Sequence, residues 1–370
     1  MQPYFLLVFC IFAVAIAVYR GKGADRTKNK IFIVGSFMLV VFLESVRADT
    51  VGIDTNDYIA AFRTIARCSW RQAFSVTKFE AGYVFLNRLV ATFTSDPQWL
   101  LAAVSLLMMI NFGYFIYHNL EDGEYAVWPV FFWITLNHLF TSMVSLRQYL
   151  ALSIVVNIYT VLKRGLDRHS LLVSALLLIL AMSFHTSAIF CIFYFLVFAY
   201  KKVNRRFIFL ISIAGFFVLT FFSYFENFVL MILPRYMRYR EYQGRYMGRN
   251  ITTINLIFIA LKILFALLVF MLSPKREENR DLYRLSSLGI ISAGITILTT
   301  QVYLLWRVGY FYDIFMVLLI PKVLKRINTR PFRVLGYLAM IIFALLYYYR
   351  QMYYNSAQAV PYRFFWDNTF

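Results

Sequence analysis

Residues 171–200 read LLVSALLLILAMSFHTSAIFCIFYFLVFAY, thirty positions without an Asp, Glu, Lys or Arg. As one helix the run would be about 45 Å long, too much for a hydrocarbon core of about 30 Å. Its flanks decide how it is folded. Lys163, Arg164 and Arg168 precede it, and Lys201, Lys202, Arg205 and Arg206 follow it. Basic residues mark the cytoplasmic ends of spans, so both ends belong on one side and the chain must double back. The midpoint is His185. Each arm of about 15 residues covers only about 22 Å, so the turn stops short of the far surface and Ser183–Ser187 lines a recess open to the outside.

The rest of the chain extends this reading. Of 370 residues 61% are apolar and 15% charged, which indicates an all-α, polytopic integral membrane protein. Apolar runs place about twelve transmembrane helices near 3–19, 31–46, 98–117, 126–141, 148–162, 171–184, 186–200, 207–222, 251–272, 285–304, 308–321 and 334–349. The first, Pro3 to Tyr19, lacks a basic leader and is followed by Arg20, Lys22, Arg26, Lys28 and Lys30, so it reads as an uncleaved span with its N-terminus outside. Residues 1–370 then form a single polytopic domain with external loops at about 47–97 and 223–250. Five cytoplasmic loops hold 21 of the 37 Lys and Arg, so topology, not nucleic acid, accounts for much of the net charge of +19. Cys10, Cys68 and Cys191 are scattered and give neither a disulfide framework nor metal spacing. No glycine-rich phosphate loop is present, and no cofactor or metal is expected.

Two further hairpins, 126–162 and 285–321, have midpoints near Arg147 and Arg307. Any one such residue is commonly an interfacial anchor; three at similar depth with His185 point to a shared polar cavity. The external segments carry one lysine, Lys78, and fourteen arginines. A guanidinium grips phosphate or carboxylate in two places, which an ammonium cannot do. In LPRYMRYREYQGRYMGRN, residues 233–250, a helix would put Arg235, Arg238, Arg245 and Arg249 on one face. The pattern fits an interfacial helix with tyrosines at headgroup level, or a clamp for an anionic ligand. In residues 57–74 Tyr58, Phe62 and Ile65 form an apolar stripe opposite Arg63, Arg67 and Arg71, which predicts an amphipathic helix lying on the outer surface. Asp54, Asp57 and Glu80 stand nearby as candidate helix caps, sugar ligands or bases.

The stretches GIDTNDYIAAF (52–62), FEAGYVFLNRL (79–89), SLRQYLALSI (145–154), SFHTSAIF (183–190) and VPYRFFW (360–366) together resemble the EpsG/Wzy-like polysaccharide polymerases, from about residue 50 to the end. The resemblance implies an enzyme at the outer face of the bacterial inner membrane. It would move a growing glycan from polyprenyl pyrophosphate onto the next lipid-linked oligosaccharide repeat unit, with membrane lipid, a flippase and a chain-length regulator as candidate partners. It carries over to Asp54, Asp57, Tyr58, Glu80, Arg147, His185, Thr186, Pro361 and Tyr362. A leaving pyrophosphate gathers negative charge, which assigns Arg147 and Arg307, helped by Arg235, Arg238 and Arg245, to its stabilisation. The acceptor hydroxyl calls for a base, for which His185 leads, with Asp54, Asp57 or Glu80 behind it. Two rivals stay open, a flippase for lipid-linked sugars and a ligase that shares the chemistry but ends on another acceptor; a membrane acyltransferase would need its His and Arg on the acyl-donor side, which this topology disfavours.

Overall fold

The computed structural model describes residues 1–21, 23–199, 231, 253–272, 279–299 and 305–368. The arginines Arg235, Arg238, Arg245 and Arg249, and the run 207–222, lie outside them. The described chain is helical throughout, and the one β-type pairing in it is an isolated bridge between Arg47 and Phe364. Three of its helices are long and apolar enough to cross a bilayer alone, and a bent pair of shorter helices brings the number to four. It divides into two compact units, residues 1–191 with 334–370, and residues 192–333.

In the first unit α1 (Gln2–Val18) packs on α2 (Arg26–Ser45), and α2 on α6 (Gln98–Asn119). Between α2 and α6 come the short α3 (Thr55–Ala66), α4 (Trp70–Ala73) and α5 (Ala81–Val90). The run read as one span at 126–141 is broken into α7 (Val127–Thr135) and α8 (His138–Val144), bent by 55°. The break falls at Asn137, whose φ of 76° lies in the left-handed region that asparagine tolerates. The 148–162 run is likewise divided, into α9 (Leu146–Val155) and α10 (Asn157–Arg164). α11 (Arg168–Phe184) starts where the Asp167 side chain accepts the Ser170 N–H at 2.8 Å, and stops at His185, whose backbone is extended. A 3-10 turn, Thr186–Cys191, follows. α11 packs on α5, α9 and α10.

The amphipathic reading of α3 is corrected in two respects. Tyr58, Phe62 and Ile65 are buried, but against α5 rather than against lipid, with Ile65 in a cluster with Ala73 and Val84. The arginine stripe is not one helix face either: α3 ends at Ala66, and Arg71 sits on α4 behind a capping box made by Ser69 and Gln72.

A feature the composition hides lies at the end of α2. Glu44 and Arg47 are wholly buried. The Ser142 hydroxyl donates to Glu44 Oε1 at 2.5 Å, and Arg47 donates to the Glu44 and Met143 carbonyls at 2.6 and 3.2 Å. The C-terminal tail after α17, whose range is Arg330–Tyr354, straps over this point. Ala48 N–H donates to Arg363 O and Phe365 N–H to Val46 O, both at 2.9 Å, while the Tyr362 hydroxyl donates to Leu43 O at 2.6 Å. The motif residue Tyr362 thus ties the tail to the last turn of α2.

The second unit contains α12 (Ile192–Ala199), α13 (Thr253–Leu272), α14 (Arg280–Leu298), α15 (Trp306–Asp313) and α16 (Met316–Lys325). Tyr194 of α12 donates to the Phe311 carbonyl and packs edge-on against Tyr312. Lys262, 4% exposed, places Nζ 2.6 Å from Asp313 Oδ1 and donates to Thr296 Oγ1 at 2.7 Å. The Ser292 hydroxyl also bonds Asp313. Breaking a buried pair strands the remaining charge, at about 3–5 kcal/mol. Lys262→Met is therefore expected to cost about 3 kcal/mol, the low end because the Asp313 side chain is 30% exposed. The Lys262→Met/Asp313→Asn double variant should recover most of it, as read by thermal unfolding of the solubilised protein.

Candidate active site

Glu80 occupies the N-cap of α5, yet its side chain makes no bond to that helix's first turn. The carboxylate is turned outward instead. Its Oε2 accepts from Arg147 Nη1, and its Oε1 accepts the Thr186 N–H at 3.3 Å. His185 Nδ1 stands 3.2 Å from the same Oε1. That separation is an ion-pair distance, although the ring is turned off the line of a straight hydrogen bond. Three segments far apart in the chain thus meet on one carboxylate.

Packing explains why they meet. Gly82 lets α5 approach the end of α11 so closely that a Cβ there would lie 2.8 Å from the Ser183 carbonyl oxygen and strike its hydroxyl as well. Two residues away on each segment, the approach sets Glu80 beside His185 and the adjoining Thr186. Arg147, at the start of α9, lies over the Phe79 ring at 4.3 Å. Tyr58, Phe79 and Tyr83 pack on one another with centroids 5.5–5.9 Å apart, an aromatic floor beneath the guanidinium.

The side chains are 16% exposed at Glu80, 21% at Arg147 and 15% at His185, so the cluster is largely withdrawn from solvent. Burial by itself would push the Glu80 carboxyl up. The His185 ring beside Oε1 and the charge of Arg147 outweigh it and hold the group at about 2. A carboxyl lowered on folding contributes stability above its usual range near 4.3 and loses it as pH falls from there toward 2. Between about pH 4.5 and 3 the thermal unfolding temperature should therefore fall further in the wild type than in Glu80→Gln.

Arg147 keeps an unused donor: its Nε is buried with no acceptor among the described residues, and Ser187 Oγ, two residues past His185, is likewise without a partner among them. Of the other sequence candidates, Asp54 stands at the N-cap of α3 and Asp57, exposed, in its first turn. Arg307 belongs to the second unit, on α15, with its guanidinium 5.5 Å from the Trp306 ring. Among the described residues no group of His, Cys, Asp and Glu side chains is arranged to hold a metal ion. The residues missed in the sequence are Glu44 and Arg47. An acid and a base three apart at a span boundary resemble an ordinary helix end, and only the tail packing over them reveals their burial.

Long apolar helices, with a carboxylate, a guanidinium and an imidazole gathered where three chain segments converge, define a helical membrane protein with a charged, mostly buried polar site. The chain belongs to the EpsG family: the family model matches residues 30–364, a span that includes Glu80, Arg147, His185 and Tyr362. Membership ties it to polysaccharide biosynthesis of the polymerase type. No curated protein and no solved structure matches the chain.

Proposed function

We propose that the protein is a membrane glycosyltransferase that extends a polysaccharide, moving the growing glycan from polyprenyl pyrophosphate to the next lipid-linked repeat unit. We place it in the bacterial inner membrane with about twelve spans and the site facing outward, on the distribution of Lys and Arg among the loops. The observation that carries the chemistry is Glu80 held between Arg147 and His185.

In this reaction the bond between the donor sugar's C1 and the pyrophosphate oxygen breaks, and a bond from C1 to the acceptor hydroxyl oxygen forms. Glu80 holds the Nδ1 side of the His185 ring, which leaves Nε2 to take the acceptor's proton. The electron pair of the broken bond leaves with the pyrophosphate, whose growing charge meets Arg147. Asp54 and Asp57 are assigned to sugar hydroxyls. Arg307, Arg235, Arg238 and Arg245 enter as phosphate ligands on the sequence alone.

A flippase is the second reading, favoured by the Lys262–Asp313 pair inside apolar helices, where ionisable residues often mark a transport path. A ligase would share the site and differ in its acceptor. Purified protein incubated with a lipid-linked repeat unit separates them. A polymerase yields a ladder of chain lengths, a ligase a single transfer to a different acceptor, and a flippase no new glycosidic bond. Absence of a ladder with an active, folded preparation overturns the proposal.

A further inference from the structure

Away from this site, α2 and α6 leave a groove of about 410 Å³ between them. Lys30, Val34 and Met38 line it at i, i+4 and i+8 on α2, and Ile110, Tyr114 and His118 repeat that spacing on α6. Its floor is closed at Gly113, where a Cβ would sit 3.1 Å from Ile33 Cγ2. Val34, Met38 and Ile110 are each more than half exposed, so the walls are apolar side chains that no protein group covers fully.

One end of the groove differs in kind. Lys30 is exposed there. Arg164 donates to the Tyr114 hydroxyl at 3.1 Å, Arg26 lies 5.5 Å over the Tyr117 ring, and the charges of both arginines reach His118. Of the acidic groups nearby, Asp25 accepts the Lys28 N–H as the cap of α2, Asp122 lies 4.0 Å from Arg26, and the Glu124 carboxylate accepts the Glu121 N–H. The basic rim is therefore neutralised only in part.

Depth selects the occupant. From Lys30 to Val41 the groove follows α2 for eleven residues, about 17 Å, close to half of a hydrocarbon core of about 30 Å. That is the reach of one leaflet's acyl chains, and it is short for a polyprenyl chain. We propose that the α2–α6 groove is a binding site for an anionic phospholipid of the leaflet at the Lys30 end. An acyl chain lies along Val34, Met38 and Ile110, and the phosphate meets Lys30, Arg164 and the Tyr114 hydroxyl. The inference requires the helices to cross a bilayer and is independent of the glycan chemistry.

The test uses full-length protein in phosphatidylcholine nanodiscs doped with a phospholipid carrying a photoactivatable acyl chain, as either phosphatidylglycerol or phosphatidylcholine. Cross-links are mapped by mass spectrometry. The phosphatidylglycerol probe should label residues 30–41 and 106–118 several-fold more than its zwitterionic twin, while the exposed face of α17 at Ile342 and Leu346 takes both equally. Lys30→Gln should lower the preference by about fivefold, and Lys30→Glu by more. Val34→Trp, which fills the groove, should reduce labelling by both probes. Equal labelling of the groove by both, a preference unchanged in Lys30→Glu, or displacement by polyprenyl phosphate better than by unlabelled phosphatidylglycerol would overturn the proposal.

Discussion

Glu80→Gln is expected to lower the rate of chain extension by about 10³-fold, within the range a positioned acid–base group contributes, with little change in the apparent affinity for the lipid-linked unit. The amide matches the carboxylate in shape and keeps one oxygen to accept from Arg147 or Thr186. What it loses is charge. Arg147 then faces the Phe79 ring without its counterion, and His185 loses the anion beside Nδ1 that fixes which ring nitrogen is presented to the acceptor. Both losses fall on the transition state, because a protonated imidazole and a departing pyrophosphate exist only there, so kcat should carry the effect and KM should not. A structural role alone predicts a different result, a lower unfolding temperature with the activity of the surviving folded fraction unchanged. Initial rates and product-length distributions on lipid-linked substrate, normalised to folded protein, decide between the two. A folded Glu80→Gln variant that still elongates at near the wild-type rate removes Glu80 from the chemistry.

The parts of this arrangement that the sequence discloses are those set by composition and flanking charge. Residues 171–200 cannot be one span, and the helix does end at Phe184, with His185 as its first extended residue. Arg147 follows from a similar argument, as it lies near the midpoint of the apolar run 126–162, which ends at the basic Lys163 and Arg164. The breaks inside the neighbouring runs could not be read in this way. Asn137 in the left-handed region and the non-helical Ser145 are single residues in strongly apolar surroundings, where the apolar pattern runs on across them. The choice among Asp54, Asp57 and Glu80 is tertiary for the same reason. Three carboxylates within one loop look equivalent until α5 docks on α11 and carries Glu80 to a partner 106 positions away in sequence. The partner of α3 is not legible either, because a stripe of Tyr58, Phe62 and Ile65 is equally suited to lipid and to another helix. Periodicity reports that a face is buried and not what buries it.

Gly82→Ala tests the packing that creates the site without touching any of its charged groups. A methyl group at position 82 would sit 2.8 Å from the Ser183 carbonyl oxygen and nearer still to the Ser183 hydroxyl. The hydroxyl can rotate aside. The carbonyl belongs to the last turn of α11 and cannot, so α5 and α11 must part by several tenths of an ångström. Overpacking of this kind costs about 1–3 kcal/mol, which a protein of this size is expected to survive as a folded chain. The displacement falls on the contact that joins Glu80 to Thr186 and His185, already 3.3 and 3.2 Å long. A misplacement of about 1 Å at a reacting centre is worth about 10²-fold in rate, so a shift of several tenths is worth about tenfold. Gly82→Ala should therefore lose about one order of magnitude in elongation while its unfolding temperature falls only modestly, and Gly82→Ser should behave alike. Paired with Ser183→Gly, which removes the hydroxyl and loosens the end of α11, the rate should recover in part. Full activity in Gly82→Ala would mean that the seating of α5 on α11 does not position the catalytic groups.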